Sequence, residues 1–226
     1  MKVQFLGHGS FLININGANL LIDPFITGGP GKDIIDISQL EADYILITHG
    51  HGDHVADAEA IAKRTGAIIV SNFEIVSWYQ KLGIKGHAMN HGGKHQFEFG
   101  TIKYVYATHS SSMPDGSYAG NPGGFVIWTD KHCVYIAGDT GLTMDMKLIP
   151  MMCPKLDVAI LPIGDNYTMG YEEAIKASDF VECNNIIGCH FDSMPIIAID
   201  KEEVSAAFEK ENKKIHFLEI GSTKEF

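Results

Sequence analysis

Apolar positions fall into short clustered runs along the chain. Lys2–Leu6, Phe11–Ile15 and Asn19–Ile22 are rich in β-branched and aromatic residues and are separated by Gly7, Gly9 and Gly17. This spacing predicts a meander of tightly turned strands. From Asp43 the pattern changes. YILIT reads as a short buried strand, HGHGDH as a polar loop, and VADAEAIAKRTGA as a helix whose inner face carries Val55, Ala58 and Ile61 and which stops at Gly66. AIIVS (67–71) is a second buried strand, and 72–83 a second helix ending at Gly83.

The order then repeats. QFEFG, TIKYVYAT, GFVIWTD and CVYIAGD form a second all-strand region from about Gln96 to Ala137. Strand-like LDVAILPIG (156–164) precedes a helix over 171–183, NIIGCH (185–190) precedes a helix over 202–211, and KIHFLEI (214–220) is the last strand. Each half thus has strands first and β-α units second, and ADYILIT parallels LDVAILP. The layered arrangement that buries such strands is an α/β, four-layer αβ/βα sandwich: two mixed sheets face to face with helices on the outer faces. No Pro- or Ser-rich linker separates the halves, so residues 1–226 are expected to form a single domain.

Composition adds exclusions. The 226 residues carry a net charge of −11 and no basic run, which speaks against nucleic acid and against anionic membrane surfaces as partners. No apolar stretch approaches the roughly 20 residues that span a bilayer. Four cysteines without a C-x-x-C pair, and a polar N-terminus, predict a cytoplasmic protein with reduced thiols. Eleven histidines accompany a single arginine, Arg64. Histidine ligates metals and moves protons near neutral pH, so its surplus directs attention to where it concentrates.

It concentrates in Thr48-His49-Gly50-His51-Gly52-Asp53-His54, directly after a buried strand. Gly50 and Gly52 relieve bulk so that neighbouring side chains converge. His49 and His51 can reach one ion while Asp53 and His54, at the start of the next helix, reach another about 3.5–4 Å away. A site needs further ligands. His109, Asp139 and His190 each follow a predicted strand, as His49 does, and bring the set to five histidines and two carboxylates.

These motifs, with LIDPF around Asp23, THSSS, AGDTG and GCHF in order, resemble the metallo-β-lactamase superfamily of hydrolases. LGHGSFLI, FEIVSWYQKLG, DMKLI, LPIGDNYTMG and YEEA look like its small bacterial branch of metal-dependent hydrolases related to ascorbate-6-phosphate lactonase. The resemblance implies that His49, His51 and His109 hold one divalent ion, that Asp53, His54 and His190 hold the other, and that Asp139 bridges them. It also implies that Asp23, and similarly Thr48, orients a ligand histidine. Asp139 stands where antibiotic-hydrolysing relatives of one class carry a metal-binding cysteine, His51 where oxygen-reducing diiron relatives carry glutamate, and Cys189 and Phe191 replace an expected Met and Tyr.

Two such ions, Zn2+ or alternatively Mn2+ or Fe2+, acidify a shared water from about 15.7 toward roughly 7. The expected reaction is attack of that bridging hydroxide on a small ester, lactone or related carbonyl substrate, with Asp53 as proton acceptor and His8 touching substrate or protonating the leaving group. The competing readings are a phosphodiesterase and a non-catalytic metal-binding protein. With a single arginine, recognition of a phosphorylated substrate is disfavoured. Ser110, Ser111, Ser112, Asn166, Tyr167 and Thr168 are expected to line the cleft, with Phe25, Ile26 and Met113 as walls. His87, His91 and His95 recur at four-residue spacing, but Gly92-Gly93 interrupts any helix that would align them.

Overall fold

The computed structural model describes all residues, Met1–Phe226. Its first half contains β1 (Lys2–Gly7), β2 (Ser10–Ile15), β3 (Ala18–Ile22), β4 (Tyr44–Leu46), α1 (Gly52–Val55), α2 (Ala58–Thr65), β5 (Ile68–Asn72), α3 (Phe73–Lys81) and β6 (Gly86–Met89). The second contains β7 (Lys94–Phe97), β8 (Gly100–Tyr106), β9 (Gly123–Trp128), β10 (Cys133–Ile136), α4 (Leu148–Met152), β11 (Val158–Pro162), α5 (Tyr171–Phe180), β12 (Asn185–Cys189), α6 (Lys201–Lys210), β13 (Lys214–His216) and β14 (Thr223–Glu225).

Two seven-stranded mixed sheets result, ordered β14-β1-β2-β3-β4-β5-β6 and β7-β8-β9-β10-β11-β12-β13. In each, the first four strands pair antiparallel and the last three join in parallel. The period-2 alternation of strands explains the layering. Phe11 and Ile13 of β2, Phe125 and Ile127 of β9, and Ile160 of β11 enter the cluster between the sheets. Leu21, Ile45 and Ile69 point to the opposite face, under α2 and α3, and Tyr135, Ala159 and Ile186 point outward beneath α5 and α6. Three apolar clusters between four layers make the expected αβ/βα sandwich. No helix is long and apolar enough to cross a membrane.

Local chemistry explains the helix ends. Asn72 accepts from the Ile75 amide at the start of α3, Asp200 accepts from the Glu203 amide at α6, and Gly66, at φ 78°, closes α2. Two expectations are modified. The helix predicted to run from Val55 through Ala67 is broken into the single turn α1 and the separate α2, because Asp57 turns its carboxylate to the Ile26 and Thr27 amides (2.6 and 2.9 Å) and binds the loop after β3. The last strand ends at His216 rather than Ile220. The chain leaves that sheet and turns at Gly221 to bond Phe5, so that β14 completes the other sheet beside β1.

Candidate metal centre

Strand ends at one edge of the sandwich deliver the polar residues. His8 follows β1, Asp23 follows β3, His49–His54 follow β4, and His109, Asp139 and His190 follow β8, β10 and β12. His8, Asp23 and His190 all take left-handed backbone angles (φ 54°, 42° and 55°), as does Gly138 before Asp139 (φ 64°). Such conformations are uncommon outside glycine and persist where the surrounding structure enforces them. Here the His190 amide donates to the His8 carbonyl (3.0 Å), tying the two sheets together across the site. Of the two glycines in the HGHGDH loop, only Gly50 is sterically required. A Cβ there would lie 2.5 Å from that of Ala119, whereas one at Gly52 meets nothing.

The structure brings all seven candidate ligands together. One nitrogen each from His49, His51 and His109 forms a group within 4.8 Å, and His8, Asp53, His54 and His190 form another. His49 Nε2 and His51 Nδ1 stand 3.0 Å apart. Asp139 lies between the groups. Its Oδ2 is 3.9 Å from His49 Nε2 and 3.7 Å from His109 Nε2 on one side, and 3.4 Å from His54 Nε2 and 3.0 Å from His190 Nε2 on the other. Asp53 Oδ2 is 4.0 Å from His190 Nε2.

Asp23 and Thr48 form the support beneath. Asp23 is buried and accepts from the Thr48 amide (2.8 Å), the Thr48 hydroxyl (2.6 Å) and His54 Nδ1 (2.9 Å). Since the Thr48 hydroxyl proton goes to Asp23, its oxygen accepts from His49 Nδ1 at 3.0 Å. Both histidines are thereby held with Nε2 facing the cluster.

Electrostatics follow from burial and mutual proximity. Burial, reinforced by the neighbouring His54, drives His49 well below the ordinary histidine range; burial likewise lowers His51 and His109, favouring the neutral, ligating form. Burial alone would also lower His54, but Asp139 and Asp23 on its two sides outweigh it and raise His54 well above that range. Burial would raise Asp139, yet His54 and His190 hold it well below the usual carboxylate range. Asp53 is lowered too, burial being overcome by its hydrogen bond to His8 and the charge of His54. The cluster is built to place positive charge between carboxylates.

His8 is buried, and both its ring nitrogens are engaged: Nε2 with Asp53 Oδ2 at 3.1 Å and Nδ1 with Ser193 Oγ at 2.7 Å. Ser193 was not legible in the sequence, because it lies three residues beyond His190 in an irregular turn without a motif of its own. Of the expected lining, Ser110 Oγ is 3.3 Å from His51 Nε2, and Ser111 Oγ accepts from the Gly50 amide (3.1 Å). Ile26 and Met113 are corrected: both are buried in the core beneath the helices and wall no cleft. Phe25 meets the His8 ring edge-on at 5.7 Å. His87 and His95 touch across the sheet edges (centroids 4.2 Å apart), while His91 stacks on Tyr104 and reaches the Pro122 carbonyl, so the three do not converge.

An αβ/βα sandwich with a histidine-carboxylate cluster at its strand ends defines the metallohydrolase class of this fold. The Beta-lactamase superfamily domain family matches residues 2–190. A UPF0173 metal-dependent hydrolase of Christiangramia forsetii is 57% identical over 224 residues, covering 99% of each chain. Among solved structures, a metallo hydrolase from the hyperthermophilic archaeon Ignicoccus hospitalis superposes with a TM-score of 0.89 at 33% identity, over 100% of this chain and 98% of the other. An isothiocyanate hydrolase from Delia radicum gut bacteria shares the fold (TM-score 0.80, 19% identity, 100% and 99% covered). The chain belongs to the beta-lactamase superfamily and, within it, to the UPF0173 metal-dependent hydrolases.

Proposed function

We propose that the protein hydrolyses a small ester, lactone or related carbonyl substrate with the help of two divalent ions, one held by His49, His51 and His109, the other by Asp53, His54 and His190, with Asp139 shared. The observation that carries this reading is the position of Asp139 Oδ2 within 4.0 Å of the Nε2 atoms of four histidines drawn from both groups. The donor set fits such ions. His54 Nε2, which faces the cluster, is buried without a hydrogen-bond partner, which is costly unless another group satisfies it. The two carboxylates flanking His54 already favour a cation at that point. Imidazole and carboxylate together suit zinc, manganese or ferrous iron.

When bound, ions of this kind supply a water acidified to near neutrality and polarise the substrate carbonyl oxygen. The chain supplies the rest. Asp23 and Thr48 hold His54 and His49 in one tautomer and orientation. Asp53, partly open to solvent, is the carboxylate placed to take a proton released at the site. An ionised Asp53 only accepts, so His8 Nε2–H donates to it, and Nδ1 of the neutral, buried ring accepts from the Ser193 hydroxyl; this series fixes the Asp53 carboxylate and favours its ionised form. A neutral carbonyl compound is favoured over a phosphodiester, since Arg64 is bound to Glu41 and to the carbonyls of Ile37 and Leu40 and the chain has no second guanidinium to grip phosphate.

Metal analysis of purified protein under replete conditions, followed by a panel of lactones, thioesters and phosphodiesters with each metal, tests this. About two ions per chain and turnover of carbonyl substrates are expected. Fewer than about one ion per chain, or turnover of phosphodiesters alone, would overturn it.

A further inference from the structure

A cavity of about 610 Å³ lies beside the strand ends that carry the candidate ligands. Its size is that of small-molecule sites. His8 belongs to both places: it bonds Asp53, its ring centroid is 4.1 Å from that of His190, and together with Ser193 it borders the cavity. The apolar wall consists of Phe5, Ile34, Phe191, Phe217, Leu218 and Ile220. Three of these come from the segment after His216, where the chain leaves one sheet to join the other.

The charged groups of the lining are Lys201, Asp192 and Glu219. Lys201 Nζ is 3.2 Å from an Asp192 carboxylate oxygen and lies 5.2 Å from the centroid of the Phe191 ring, so its charge is already balanced. Glu219 leaves the lining with one net negative charge. A phosphate or carboxylate entering this space would lose hydration and gain no free cation in return. An alkyl or aryl group would shed water against matching walls.

Building on the proposed hydrolysis of carbonyl compounds, we infer that this cavity receives the uncharged apolar part of the substrate: an ester or lactone carrying a medium-length alkyl or aryl chain, not a phosphorylated or carboxylated one. In its hydrolysis the acyl carbon–oxygen bond breaks, water adds hydroxyl to the acyl carbon, and the remaining proton goes to the departing alcohol oxygen. A buried methylene contributes enough to raise kcat/KM about fourfold.

The test uses the full chain loaded with zinc or manganese and γ-lactones whose side chain lengthens from methyl to heptyl, with counterparts ending in carboxylate. The expected result is a rise of about fourfold per methylene until the cavity is filled, with carboxylate-ended substrates at least about tenfold poorer. Ile34 is on the exposed rim and outside the core clusters, so Ile34→Trp should fold normally and shift the optimum to shorter chains. A chain-length profile that is flat and identical in both proteins, alongside real turnover, overturns the cavity assignment and leaves the hydrolase reading standing. Calorimetric titration with 2-nonanone, which cannot be hydrolysed, gives an independent readout. Binding weakened at least about tenfold by Ile34→Trp supports the assignment, and equal binding or none refutes it. If no lactone is turned over with any metal, the functional reading fails and the ketone titration alone decides the cavity.

Discussion

The two halves of the molecule are built alike and furnished differently. In each, an antiparallel group (β1–β3, β8–β10) leads into parallel strands (β4–β6, β11–β13). Corresponding strand ends can therefore be compared. His8 after β1 matches His109 after β8, and Asp23 after β3 matches Asp139 after β10. The histidine-rich loop after β4 matches residues 163–170 after β11, and Asn72 at the end of β5 matches His190 after β12. In three of the pairs one member faces the cluster and the other supports something, and in the histidine pair both reach it, His8 through its bond to Asp53. Asp139 sits among four imidazoles, while Asp23 lies underneath and orients His54. His190 joins the cluster, while Asn72 caps α3 and donates to the Ala119 carbonyl (2.7 Å). The loop after β11 carries no histidine. It braces the Asp139 loop through the Met169 amide and the Thr140 carbonyl (2.9 Å). A twofold scaffold thus acquires a directional site because equivalent positions take different jobs.

Substitutions within the pairs probe this division. Asp139→Asn is expected to cost at least about a thousandfold in turnover while the fold survives, because both halves of the cluster lose their shared carboxylate. Its counterpart Asp23→Asn should instead weaken metal affinity by about 10–100-fold and regain activity in excess metal. Equal, metal-independent losses in the two variants would erase the distinction. For the histidine pair, His109→Ala is expected to lower the metal content through loss of a ligand, whereas His8→Ala loses roughly tenfold in kcat/KM at saturating metal through a misplaced Asp53. An unchanged kcat/KM in His8→Ala removes any role for that residue.

Smaller effects concern the scaffold. Gly50→Ala should destabilise by about 1–3 kcal/mol through overlap with Ala119, and Gly52→Ala should be near neutral, as read by thermal melting. An effect confined to acid pH is expected at His216 on β13, where burial and then Lys224 and Lys214 push the pKa down to about 4. The folded value is depressed, so the unfolded chain binds this proton first: stability contributed by neutral His216 is intact above about 6.5 and falls away as pH drops from there toward 4. His216→Gln should flatten that part of the stability profile, and an identical acid limb in both proteins would show that the group is inert.

Residue by residue, the sequence determined most of this arrangement. Alternation along β2 or β9 announces which side chains enter the space between the sheets, because a strand's faces alternate with period 2. His-x-His-x-Asp-His is legible because its four groups are neighbours in the chain, and converge as soon as Gly50 lets the loop pass Ala119. What lay beyond reach are juxtapositions of distant segments. That Ser193 donates to His8, that Asp57 ends a helix early to bind the Ile26 amide, and that Phe217–Ile220 wall a cavity rather than extend a strand depend on how far the chain travels between sheets. Local propensity carries no term for those distances. The tertiary structure decided them, by setting His8 of one sheet against His190 of the other and by bringing the end of the chain back to β1.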